Sequence, residues 1–155
     1  MRFRRSQIIV LLLITLLLSG CLSTRPMATS PEQEGLGSFS VSSPSFGPAT
    51  LRPSTCSAGD REFFLGADFK DNSSDLVLRL VIDPLEGPAV RVFSIASPFD
   101  KSIVFRLKEC RVFQFSLVPT GWRVNYIYDH SLTLQLDCTR DGESIQGNAS
   151  ATHCH

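Results

Sequence analysis

The chain has 155 residues, with 15 Lys+Arg against 15 Asp+Glu and no formal net charge. That length holds one domain with an export signal and a linker. Residues 1–20 carry Arg2, Arg4 and Arg5 and no acid, so removing them leaves 12 basic and 15 acidic residues, a balance of −3. Nucleic acid is therefore not expected as a partner, because phosphate binding needs an excess of Lys and Arg.

The first 20 residues read as a signal peptide. The three arginines precede an apolar run of 11 residues, Ile8 to Leu18, and the small residues Ser19 and Gly20 follow. The run is shorter than the roughly 20 residues a membrane span requires. Leu18-Ser19-Gly20-Cys21 resembles the lipobox of bacterial lipoproteins. The resemblance covers only the first 21 residues. It implies cleavage between Gly20 and Cys21, a diacylglyceryl group on the Cys21 sulfur and, in many bacteria, a further acyl chain such as palmitate on the new amine. Each buried CH₂ adds about 0.8 kcal/mol, so several chains make a durable anchor. The resemblance thus implies a cell-envelope protein whose membrane partner is reached through Cys21. Leu22 stands where Asp often retains lipoproteins at the inner membrane, which favours the outer membrane in an organism that has one.

Residues 21–55 are expected to be a tether. Between Leu22 and Thr55, 20 of 34 residues are Ser, Thr, Pro or Gly. Such a segment buries little and, as a coil, spans roughly 30–35 Å. Weak alternation at Leu36, Phe39 and Val41 predicts an edge strand over residues 36–41. Residues 56–155 form the β-rich domain.

From Arg61 onward the apolar period is two. Leu76, Leu78, Leu80 and Ile82 share one face of a strand. Val90 to Ile95 follows, then Ile103, Phe105 and Leu107, then Phe113, Phe115 and Leu117. Trp122, Val124, Tyr126 and Tyr128 alternate with Arg123, Asn125 and Ile127. The clearest half-buried strand sets Leu132, Leu134, Leu136 and Cys138 against Ser131, Thr133, Gln135 and Asp137. Turns are expected at Asp71–Ser74, Pro84–Pro88, Pro98–Asp100 and Pro119–Gly121, and Asp141-Gly142 signals a tight hairpin. Short strands at this spacing predict an all-β fold, a small antiparallel sandwich or barrel.

With Cys21 lipidated, Cys56, Cys110, Cys138 and Cys154 leave an even set for two disulfides in an exported domain. Four cysteines allow three pairings. Hairpins centred on Pro119–Gly121 and Asp141-Gly142 would bring Cys110 and Cys154 to one point, which favours Cys110–Cys154 with Cys56–Cys138.

Three groups of residues are candidates for function. Trp122, Tyr126 and Tyr128 on one strand face would form a binding platform if exposed and a piece of core if buried. His153 and His155, with His130 opposite by register, are candidate ligands for zinc or copper. No paired spacing such as C-x₂-C supports a metal, so no cofactor is expected and the terminus reads as a solvated end. Arg79, Arg91, Arg106, Arg111 and Arg123 would make an anion-binding face, but Asp68, Asp75, Asp83 and Asp137 are interspersed. Asp129, His130 and Ser131 are strand neighbours that point to opposite faces, poorly placed for a triad. With no G-x-S-x-G, H-E-x-x-H or P-loop, catalysis is not expected. The expectation is a lipid-anchored, non-catalytic envelope protein that binds a partner protein, glycan or lipid; the alternative is a small-ligand or metal carrier.

Overall fold

The computed structural model describes residues 36–155. The signal peptide, the lipobox with Cys21 and residues 22–35 lie outside the described residues. Among the described residues, ten strands form two five-stranded antiparallel sheets. β1 (Gly37–Ser43) and β2 (Gly47–Leu51) open sheet A. The chain then crosses to sheet B for a continuous meander: β3 (Thr55–Ala58), β4 (Gly66–Lys70), β5 (Leu76–Asp83), β6 (Gly87–Ser94) and β7 (Ser97–Arg106). It returns to sheet A with β8 (Cys110–Val124), β9 (Ile127–Arg140) and β10 (Glu143–Cys154), and β10 docks beside β1 to give the order β2-β1-β10-β9-β8. Short 3-10 turns at Gly59–Glu62 and Leu107–Glu109 interrupt the strands. No helix among the described residues is long and apolar enough to cross a membrane.

The expected sandwich is present, and period two builds it. Leu132, Leu134, Leu136 and Cys138 of β9 are buried, while the intervening Thr133 and Gln135 are exposed. Leu78 and Leu80 of β5, Val90 and Val92 of β6, and Ile103 and Phe105 of β7 face them from sheet B, all fully buried. Phe39 of β1 and Phe69 of β4 meet with ring centroids 6.4 Å apart. Burying a side chain of this size stabilises by about 1.5–3 kcal/mol. Gly147 of β10 lies opposite Phe39, and a Cβ there would stand 2.1 Å from the Ser38 carbonyl oxygen.

The structure corrects several expectations. Residues 36–55 are not all tether: Phe39, Val41 and Leu51 belong to the core, and β1 lies inside sheet A between β2 and β10. Pro98–Asp100 is not a turn. Ser94 pairs with Ser97, so the chain reverses at Ile95-Ala96, and Pro98 sits in the edge strand β7. Pro119 likewise lies in an edge strand, β8. Proline lacks a ladder donor, and an edge strand has one side where none is needed. Leu107 falls in a 3-10 turn and is exposed instead of continuing the β7 face.

The disulfide pairing is also corrected. Cys110 bonds Cys138, and Cys56 bonds Cys154. The β8–β9 hairpin turns at Asn125-Tyr126, with Val124 opposite Ile127, and not at Pro119–Gly121. The later turn slides β9 along β8 until Cys138 lies directly opposite Cys110. Irregularities between Pro119 and Arg123 and between Cys110 and Val112 complete the register. Cys154 is then left to bridge the sandwich to β3 of sheet B.

Candidate functional site

The outward side of sheet A carries an unusual residue set. Its strands alternate apolar-in with Ser, Thr, Gln and Asn out. Register aligns these side chains into rows across the strands. Gln114, Gln135, Asn148 and Ser38 form one row over β8, β9, β10 and β1. Ser116, Thr133 and Ser150 form the next. Ser40 and Gln146 continue the pattern beside Asp137. All but Asp137 are exposed and uncharged, and Arg111 Nε donates to Asp137 Oδ2 at 2.7 Å. Two shallow depressions of about 430 Å³ each lie on this face, one lined by Gln114, Thr133 and Asn148 and the other by Ser40, Thr50 and Gln146.

Strands β8 and β9 carry on beyond these rows to a hairpin tip. Trp122 is 72% exposed, Tyr126 95% and Tyr128 41%. These aromatics are therefore not core. They do not share one strand face, however. Asn125 (φ 51°) and Tyr126 (φ 69°) are the two residues of the turn, both left-handed, as a hairpin twisting with its strands requires. Tyr128 pairs with Arg123 across the hairpin, and the guanidinium lies 4.1 Å from its ring centroid.

Between the rows and the tip lies a polar cluster. Asp129 of β9 is 2% exposed. Its Oδ2 accepts from Thr120 Oγ1 at 2.7 Å and lies 2.8 Å from His153 Nδ1; its Oδ1 lies 3.7 Å from His155 Nδ1. Burial pushes the carboxyl pKa up, but the Thr120 hydroxyl and the two histidines outweigh it and hold it below the ordinary value. His130 does not join: its Nδ1 contacts the Tyr128 carbonyl oxygen at 3.0 Å, and it opposes Cys154 in register. Sequence register gives the histidines His130 as their neighbour, one residue away from the partner they have. The signal for Asp129 is the same register read one step further, since Cys154 pairs with His130 and His155 is the next residue along the chain.

The arginines do not form an anion-binding face. Arg79 makes two 2.8 Å bonds to the buried Asp68, also pairs with Glu62, and lies 4.4 Å from the Phe64 ring centroid. Arg106 pairs with Glu86 at 2.6 Å, Arg111 with Asp137, and Arg123 stacks on Tyr128. Interspersed acids thus neutralise three of the five, as charge alternation implies, while Arg91 donates to the Pro98 carbonyl oxygen. No protein-family model, curated protein or solved structure matches the chain.

Proposed function

We propose that this protein is a lipid-anchored component of the cell envelope, held through acylated Cys21, whose sandwich binds an uncharged glycan on the outward side of sheet A. The observation that supports it is the set of aligned rows of uncharged Gln, Asn, Ser and Thr, with the one flanking acid neutralised by Arg111. Hydroxyls and amides offer donors and acceptors together, which is what a polyhydroxyl chain needs. A protein partner is favoured by an aromatic or apolar centre, and the aligned rows consist of amides and hydroxyls. An anionic partner needs clustered Lys or Arg. Exposed Trp122 of β8 and Tyr126 of the turn that joins β8 to β9 supply flat apolar surface of the kind that stacks on a sugar ring.

The test is binding of the full chain in detergent to immobilised envelope polysaccharides, neutral and charged. Binding to a neutral polymer that is unaffected by salt, and that weakens about tenfold or more when Gln135→Lys and Asn148→Lys are combined, is the expected result. Loss of binding at high salt, or unchanged binding in that variant, rejects the reading. A Cys21→Ser form should fail to partition with membranes; retention there rejects the anchor.

A further inference from the structure

The four sheet edges differ in how they meet solvent. β2 has five residues and holds Pro48, and β3 has only four residues. β7 holds Pro98 and, in its sequence, the charged pair Asp100-Lys101. Short strands, prolines and charges are the devices that keep an edge from pairing with another chain. The remaining edge, β8, lacks them along its regular stretch. From Val112 to Val118 it carries no proline and no charge, and its ladder to β9 is unbroken. The irregularities beside Cys110 and after Pro119 fall at the two ends of this stretch. Among the described residues no strand pairs with its far side, which leaves a row of backbone N–H and C=O groups open there.

The side chains of this edge specify what covers it. The run Val112–Val118 is symmetrical in chemistry about Phe115. Val112 matches Val118, Phe113 matches Leu117, and Gln114 matches Ser116. The antiparallel strand that fits it position by position is therefore a second copy of itself. A two-fold interface demands this self-complementarity, since residue i meets j and j meets i.

We propose that two copies of this protein pair antiparallel through β8, with the two-fold axis at Phe115, to give one continuous ten-stranded sheet. In that register Phe115 lies beside the partner's Phe115, and Phe113 beside the partner's Leu117. All three are only partly buried in the single chain, at the rim of the core. Cross-strand aromatic and aliphatic pairs stabilise a sheet. Val118, 53% exposed, is covered by the partner's Val112. On the outward side Gln114 stands opposite the partner's Ser116. The row of Gln114, Gln135, Asn148 and Ser38 then runs on into the second copy's row of Ser116, Thr133 and Ser150. Each chain has one such edge, so the assembly closes at two. Seven residues of strand extend about 23 Å, a small contact, which places the dimer in the micromolar range. The pairing does not depend on the glycan reading.

The experiment is sedimentation equilibrium of the full chain in density-matched detergent, from low to high micromolar protein, with micelles in excess over chains. The expected result is a monomer–dimer equilibrium with a micromolar dissociation constant. Gln114→Lys/Ser116→Lys sets lysine against lysine at both outward pairs and should weaken the dimer about tenfold or more. Gln114→Glu/Ser116→Glu should do the same, and mixing the two variants should restore a dimer at least as strong as the parent's. Both positions are exposed, so the fold is retained, which circular dichroism checks. Gln135→Lys/Asn148→Lys lies away from the edge and should dimerise as the parent does, so failure of glycan binding and failure of pairing are distinguishable. A chain that stays monomeric throughout overturns the proposal and leaves the edge to a strand of another protein. A dimer indifferent to the lysine variant, or variants that do not recover on mixing, also overturn it.

Discussion

Asp71, in the turn between β4 and β5, ties that turn to the crossing between the sheets. Its Oδ2 accepts the Arg52 amide at 2.8 Å, and its Oδ1 accepts the Ser73 amide and hydroxyl at 2.8 and 2.6 Å. Burial raises the carboxyl pKa, but these donors prevail and lower it to about 2. A depressed folded value contributes stability that is present above the unfolded value near 4 and is lost as pH falls through the folded value near 2. Asp71→Asn should therefore cost about 1–2 kcal/mol at pH 6, and the gap from the parent should close between pH 4 and pH 2. Denaturant titrations of both proteins across that interval check it. A gap that persists at pH 2 would assign the loss to geometry instead of charge. Arg79 and Asp68 make the corresponding contact on sheet B, where a buried carboxylate is matched by both arms of a guanidinium.

At the scale of elements, the β8–β9 hairpin stands out. Its strands have 15 and 14 residues, long for a domain of this size, and its turn places Tyr126 at positive φ. An aromatic residue there is strained by about 1 kcal/mol or more, whereas glycine adopts the conformation freely. Tyr126→Gly should leave stability unchanged or raise it by up to about 1 kcal/mol, while weakening glycan binding several-fold. Thermal melts and polysaccharide binding on the same samples separate the two effects. If neither moves, the tip aromatic has no role in binding. Phe113, Phe115 and Leu117 show why a period-two pattern cannot state depth. They alternate as regularly as Leu132, Leu134 and Leu136, yet are only partly buried, because β8 is the edge of sheet A.

For the whole molecule, the disulfides differ in what they constrain. Cys56–Cys154 spans 98 residues and joins the two sheets; Cys110–Cys138 spans 28 and joins strands already hydrogen-bonded to each other. On chain-entropy grounds the first is worth about 4–5 kcal/mol and the second at most about 3–4, before the hairpin's own order reduces it. Cys56→Ala/Cys154→Ala should lower the melting temperature more than Cys110→Ala/Cys138→Ala. Scanning calorimetry of the two double variants decides the order, and the reverse order would mean that the hairpin is not preformed by its own pairing.

Local pattern was enough to read the class of fold, the inward leucines of β9, the Asp141-Gly142 hairpin and the even set of four cysteines. The first three depend on residues a few positions apart, where side-chain alternation and turn stereochemistry act directly, and the last is a count that needs no geometry. The partners of those cysteines, the place of β1 inside sheet A, and the meeting of Asp129 with His153 and His155 emerge only once the strands are paired. These depend on register, and a later turn or one bulged residue moves every cross-strand neighbour without altering the local pattern that each strand displays.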